Sequence, residues 1–328
     1  MALTDKSAVI NQFTLHELHQ YGVKAVEATG RGEMRFSKPA AVAVLTVVFA
    51  YLAAPPARAL DVDPGDYAAA PPGTSLILGY GQFNWYNSFH TRSGNEIHDS
   101  ELQSQVGILR VVHYVNVFGV TCDPQFFIPF AGLNNAKLGG EHLDSTFGMG
   151  DIIIASTCWV VNQPEKQRWV GITPFVFFPT GSYRDKQVLN VGENRYKGVL
   201  QVGYVEAFGK WSVDLIADTT FYGNNDSAGP EGNNTLRQDN SYQAQAWLRR
   251  ALTDELSLGV GWSGTWGGNQ YVAGESNKLS TEAQQLRLIT QYFVLPDLQL
   301  QAQARTDVWS EGGYRETFGL HLRVMKVF

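Results

Sequence analysis

The chain has 328 residues, a formal net charge of −6 and 17% charged residues, against about 25% in an ordinary soluble domain. The acidic balance argues against a nucleic-acid partner. Beyond the N-terminal leader no stretch offers the roughly 18 consecutive apolar residues of a spanning helix, which leaves a periplasmic or extracellular protein or an outer-membrane barrel.

Arg31, Arg35 and Lys38 precede an apolar run from Ala40 to Ala54, followed by Pro55, Pro56 and the triplet Ala57-Arg58-Ala59. A basic region, a short apolar region and an A-x-A site are the parts of a secretory signal peptide. The run is too short for a membrane anchor of about 20 residues. Met34 stands directly before the basic region. The expectation is therefore that residues 1–59 are leader and signal peptide, with the true start at Met34 and cleavage after Ala59. Residues 60–73, rich in Pro, Gly and Asp, read as an irregular segment. The sequence leaves open whether it hangs in the periplasm or enters the structure that follows.

From 74 to 328 strand-like runs succeed one another, about twelve in all: 74–90, 99–117, 120–134, 146–161, 169–181, 194–208, 211–225, 239–252, 256–267, 280–294, 298–306 and 316–328. Tight turns at Phe118-Gly119, Gly209-Lys210, Thr253-Asp254-Glu255 and Pro296-Asp297 alternate with longer polar connections such as 182–193, 226–238, 268–279 and 307–315. Short turns on one side and long loops on the other are the pattern of an outer-membrane barrel. A soluble sandwich has no reason to sort loops by length.

Side chains alternate as a wall between two solvents would require. Leu298, Leu300, Ala302 and Ala304 interleave with Gln299, Gln301, Gln303 and Arg305; Tyr242, Ala244, Ala246 and Leu248 interleave with Gln243, Gln245, Trp247 and Arg249. The first three runs alternate less cleanly, so their facing is open. Aromatics crowd the strand ends, including Trp85, Trp211, Trp262 and Trp309, as girdles at membrane interfaces would. The final run places Phe318, Leu320, Leu322, Val324 and Phe328 on one side, and Gly319, His321 and Arg323 on the other. A terminal strand of this kind, ending on Phe328, is expected to close the sheet and to engage the barrel-assembly machinery. The fold class expected is all-β: an antiparallel transmembrane β-barrel of about 12 strands over 74–328, preceded by a signal peptide.

Three stretches narrow the reading: Val62-Asp63-Pro64-Gly65-Asp66-Tyr67, Gly148-Met149-Gly150-Asp151-Ile152, and Pro174-Phe175-Val176-Phe177-Phe178-Pro179-Thr180-Gly181. In this order, within a barrel-like chain, they resemble the outer-membrane channel family of phenol meta-pathway degradation proteins. The resemblance spans most of 60–328. It implies a small barrel channel in a Gram-negative outer membrane, working by passive uptake of aromatic or other hydrophobic compounds, and it supplies no set of functional residues. Physically, Pro179-Thr180-Gly181 ends a strand at the rim, and Gly148 and Gly150 suggest close packing or a bend in the wall.

Cys122 and Cys158 fall opposite each other on adjacent antiparallel strands. A disulfide is one reading in an oxidising envelope; a pair of buried or lipid-facing thiols is the other. Two cysteines without histidines at ligand spacing do not suggest a metal site, and no cofactor motif is evident. An outer-membrane lipase would need a lipid-facing Ser with a His and an orienting group. The candidates are His142-Leu143-Asp144-Ser145, His90 and His113, without a G-x-S-x-G elbow; the chain does not read as an enzyme.

The lumen offers more. By parity Arg249, Arg287, Arg305 and Arg323 point inward on strands eight, ten, eleven and twelve; Asp214 and Asp218 point inward on strand seven, with Gln301 and His321 nearby. Arg or Lys facing lipid at mid-membrane would cost about 2–4 kcal/mol, which favours the inward assignment. Arginines on one wall facing carboxylates on another would set a field across a narrow pore and tune selectivity toward carboxylates. Alternatively the charges pair among themselves and hold the interior together. The function expected is a monomeric channel for small solutes, with lipid and those solutes as its partners. The competing reading is a structural or adhesive barrel whose lumen is closed by loops or by residues 60–73.

Overall fold

The computed structural model describes residues 61–229 and 231–328; the expected signal peptide and its cleavage site lie outside them. Among the described residues, twelve long strands run in chain order: β1 (Ser75–His90), β2 (Glu101–His113), β3 (Val120–Leu138), β4 (Ile153–Gln163), β5 (Arg168–Phe177), β6 (Lys197–Phe208), β7 (Trp211–Tyr222), β8 (Ser241–Ala251), β9 (Leu256–Gly267), β10 (Glu282–Leu295), β11 (Leu298–Glu311) and β12 (Gly313–Val327). Each is antiparallel to the strand before it, and β12 returns to pair with β1. The ring is closed, so no strand edge faces lipid with unpaired backbone groups.

The outer surface follows the alternation. Leu258, Val260, Leu286, Leu288 and Leu300 are exposed, while their neighbours Ser263, Gln285, Arg287 and Gln301 are buried inside the ring. The structure also settles the first three strands. Ile77, Phe83, Leu109, Val111 and Phe126 look outward; Tyr80 and Arg110 meet inside. Near the ends, Trp85 stacks on Phe318 and the Arg250 guanidinium lies over Trp211.

The last long connection differs from the sequence reading. Instead of a loop over 307–315, β11 and β12 continue past the barrel and turn at Gly312 alone. Gly312 has φ +73° and lies so close to Ser280 that a Cβ would fall 2.5 Å from its backbone nitrogen, a turn that only glycine fits. Above the long-loop rim, 225–228, 234–238, 270–272 and 275–276 form a small separate sheet. Loop residues Leu189 and Leu279 pack with Phe89, Leu102, Leu133, Leu138 and Tyr314 in an apolar cluster at the same mouth.

Two of the stretches that carry the family resemblance meet. The expected strand 146–161 is interrupted at 150–152, and the strand expected to end at Gly181 stops at Phe177. The freed segments pair with each other. Ser182 N–H donates to Met149 O (2.7 Å), Ile152 N–H to Thr180 Oγ1 (3.0 Å) and Gly181 N–H to the Asp151 carboxylate (2.9 Å). Gly148 is required here, since a Cβ would sit 2.3 Å from Ser182 Oγ. At the short-turn end the sulfurs of Cys122 and Cys158 are bonded, across a register pair with Cα atoms 4.1 Å apart.

Candidate functional site

The lumen is occupied by a segment of the chain itself, from Asp61 to Tyr67, which precedes β1. Asp63-Pro64-Gly65-Asp66 forms a tight turn, closed by Asp66 N–H on Asp63 O (3.1 Å), with Gly65 at φ +91°. Pro at the second position and a positive-φ Gly at the third are what this turn type needs. The turn is seated by both faces of its backbone. Gly65 N–H donates to Asp214 (2.6 Å), Val62 N–H to Gln245 Oε1 (3.2 Å), and Val62 O and Pro64 O accept from Trp247 (3.2 Å) and Gln291 (3.0 Å).

The three aspartates of the segment meet the arginines of the wall. Asp61 pairs with Arg305 and lies 3.5 Å from Arg287; Arg323 Nη1 lies 2.9 Å from both Asp63 and Asp66; Asp66 also holds Arg110 at 2.7 Å. The apolar side chains of the segment are equally placed. Val62 joins a cluster with Val205, Ile216, Trp247 and Ile289. The Tyr67 ring lies over Gly171 and Gly203, its hydroxyl bonded to Thr173 (2.8 Å) and Gln201 (3.0 Å), while Trp159 donates to its carbonyl (2.7 Å).

All eight residues assigned to the lumen from strand parity are found there, in local partnerships. Arg249 pairs with Asp214 on the neighbouring strand (3.2 Å). Asp218 accepts from Gln201 (3.1 Å), Gln301 from Gln291 (2.9 Å), and His321 Nε2 lies 2.9 Å from Asn84 Oδ1. Arg305 is additionally forked on Glu316, with Nε and Nη2 each 2.7 Å from a carboxylate oxygen. Carboxylates facing the arginines across an open pore are not what the wall presents; the segment delivers carboxylates to Arg287, Arg305 and Arg323 from within.

Arg110, Glu316 and the segment's Asp61, Asp63 and Asp66 were missed by sequence reasoning. The signal for the last three was charge complementarity, an acid-rich segment preceding a wall of inward arginines. At the rim, Glu193 lies between Arg195 (2.7 Å) and Lys197. Burial pushes its carboxyl up, but the two cations outweigh burial and hold it at about 2.

The histidines considered for hydrolysis lie apart. His113 is bonded to Ser75 at the short-turn end (2.8 Å), His90 to Ser88 near the long-loop end (3.2 Å), and His142 sits in a hairpin paired with Lys137.

Residues 86–323 match the family described as "Putative MetA-pathway of phenol degradation". Among solved structures, the chain is similar to the COG4313 outer membrane channel from Pseudomonas putida F1, with 34% identity, a TM-score of 0.77, and coverage of 82% of this chain and 100% of that one. It is more distantly similar to the beta domain of the Bordetella autotransporter BrkA, at 8% identity and TM-score 0.47 over 77% and 98% of the two chains. The toluene transporter TodX of P. putida gives 9% identity and TM-score 0.42 over 81% and 91%. Comparison with curated proteins gave no match. Strand ring, lipid-facing belt and a channel relative at 34% identity place the protein in the bacterial outer membrane as a non-enzymatic barrel, and the chain belongs to the phenol-degradation MetA-pathway family of outer-membrane channels.

Proposed function

We propose that the protein is a passive channel for small solutes, chiefly aromatic or other hydrophobic compounds and their acids, with residues 61–73 as a removable stopper. The observation that carries this reading is the chemistry of the stopper's seat. It is held largely by ion pairs and hydrogen bonds to the wall. Buried ion pairs of this kind roughly break even against their desolvation, so such a seat is exchangeable in a way that a continuous apolar core is not. The channel relative supports passage of a solute, and the family's link to phenol degradation supports the solute class. The apolar cluster at the long-loop mouth, with Leu189 and Leu279 contributed by loops, suits a hydrophobic solute at entry. In this reading the barrel acts as a monomer, whose closed strand ring needs no second copy to complete it, and β12 is the strand that assembly machinery would engage.

A closed structural barrel is the second reading. Val62 and Tyr67 favour it, since both pack into the lumen with Trp247, Ile216 and Ile289. Single-channel recording of the purified protein in planar bilayers separates the two, together with liposome swelling in arabinose, benzyl alcohol and benzoate. Discrete openings, whose frequency changes with benzoate and with Arg287→Ala, support the channel. Silence from both the native protein and Arg323→Ala, with both folded, supports the closed barrel.

A further inference from the structure

We infer that Asp61 and Val62 occupy a built subsite for a small carboxylate with an apolar body, and that such acids compete for it and unseat the stopper. The inference rests on reading residues 61–73 as removable.

The subsite centres on Arg287. Its side chain is wholly buried, with the guanidinium 4.6 Å above the Trp247 ring. Nη2 donates to Gln245 Oε1 (3.0 Å) and Trp262 O (3.3 Å), whereas Nε and Nη1 have no hydrogen-bond partner among the described residues. The carboxylate nearest Nη1 is Asp61, at 3.5 Å, well beyond the roughly 2.7–2.9 Å of a charge-assisted hydrogen bond. A guanidinium presents a planar fork that a carboxylate fills with two parallel bonds, and here part of the fork is open.

Arg305 supplies the second cation. Its Nε and Nη2 are taken by Glu316, leaving Nη1 toward Asp61, and Gln243 Nε2 donates to the same Asp61 carboxylate at 3.3 Å. One residue along, Val62 sits in the apolar cluster of Trp247, Ile216, Ile289 and Val205. The pair therefore presents a carboxylate to two guanidiniums and a branched hydrocarbon to an apolar patch. These are the two halves of an amphipathic monocarboxylate. A free acid with an aromatic or branched body satisfies both halves and can turn its carboxylate squarely onto Arg287, which Asp61, tied to the chain, does not. The body of the acid would take the place of Val62. It would not stack on Trp247, whose ring already lies between Arg287 and Gly261, where a Cβ would meet it at 2.3 Å.

The test places a reporter thiol in the segment by Val62→Cys, the native cysteines being bonded to each other. Maleimide labelling of the full-length mature protein is followed at constant ionic strength with benzoate, its neutral isostere benzamide, or chloride. Benzoate should speed labelling by roughly tenfold, the equilibrium shift of a modest competitor, while benzamide and chloride leave it unchanged. Asp61→Asn should label fast without benzoate, and Arg287→Gln should lose the benzoate response. Calorimetry of benzoate binding to the unsubstituted protein gives a second measure that no variant's folding affects. Equal labelling with benzoate and benzamide, or no benzoate binding, overturns the inference. Benzoate-dependent labelling in a barrel that passes no solute would sink the channel reading and leave the subsite standing. Solute passage with labelling indifferent to benzoate would do the reverse.

Discussion

Gly203 and Tyr67 are in face contact inside the ring, so close that a Cβ on Gly203 would lie 2.2 Å from the tyrosine ring. The strand gives up a side chain to let the stopper lie flat on the wall. Gly203→Ala should lift the ring from its Thr173 and Gln201 partners and weaken the seat by about 1–3 kcal/mol, the usual cost of overpacking. Protease access to residues 61–73 should rise accordingly. Gly79→Ala, at a position where nothing lies within 4 Å, should leave it unchanged.

Arg323 is the residue on which the turn hangs, since Asp63 and Asp66 both lie 2.9 Å from its Nη1. Its removal leaves Asp63 buried beside Gln303, with no comparable cation, while Asp66 keeps Arg110. Breaking one side of a buried pair costs about 3–5 kcal/mol. Arg323→Ala should therefore release the segment, and Asp63→Asn in that background should recover part of the loss. A double-mutant cycle read by protease access measures the coupling; additive effects would mean that the pair does not hold the stopper.

The wall was legible because membrane strands obey a strict period. Parity alone put Arg249, Arg287, Arg305, Arg323, Asp214 and Asp218 inside, and the cost of the alternative in lipid explains why it did. Glu316 shows where parity stops. Counting by twos places it with Phe318 on the lipid face, but β12 shifts register against β1 between Phe318 and Glu316. That irregularity turns the carboxylate inward, onto Arg305. Residues 61–73 have no period at all, so their place depended on complementarity with side chains far along the chain. The rim junction was hidden for a similar reason: Asp151 and Gly181 are paired by tertiary contact, and neither local pattern names the other.

Asp151 anchors that junction by accepting from Gly181 N–H and Glu193 N–H with its two oxygens, at 2.9 and 3.0 Å. Asp151→Asn replaces one acceptor with a donor facing a backbone N–H, an arrangement that costs about 1–3 kcal/mol. The amides of Gly181 and Glu193 should exchange hydrogen roughly ten to a hundred times faster, with exchange within β10 and β11 unaltered. Unchanged amide exchange at the junction would show that the carboxylate is not what holds the loop.

Glu193 gives the same loop a pH limit. Its carboxyl is held at about 2 rather than the ordinary 4.5, since Lys197 and Arg195 outweigh burial. A depressed carboxyl stabilises the folded arrangement fully above the unfolded value, and that contribution is lost as pH falls through the folded one. The loop 178–196 should therefore resist pepsin at pH near 4 and yield as pH approaches about 2. Glu193→Gln should remove the acid transition and leave the loop open to cleavage at either pH.

The bond between Cys122 and Cys158 closes a loop with a sequence separation of 36 around the β3–β4 hairpin. Chain-entropy arithmetic for a loop of that size gives about 3–4 kcal/mol. The bond is an addition to a register already fixed by pairing along β3 and β4 and by the junction at Gly148. Cys122→Ser with Cys158→Ser should therefore still form the closed ring, with native strand content by circular dichroism and the folded band on unheated gels. Its transition to the unfolded band should come at lower temperature than that of the bonded protein, and reductant should shift the native protein to the same point. A double variant that fails to fold at all would instead make the bond a requirement for assembling β3 against β4.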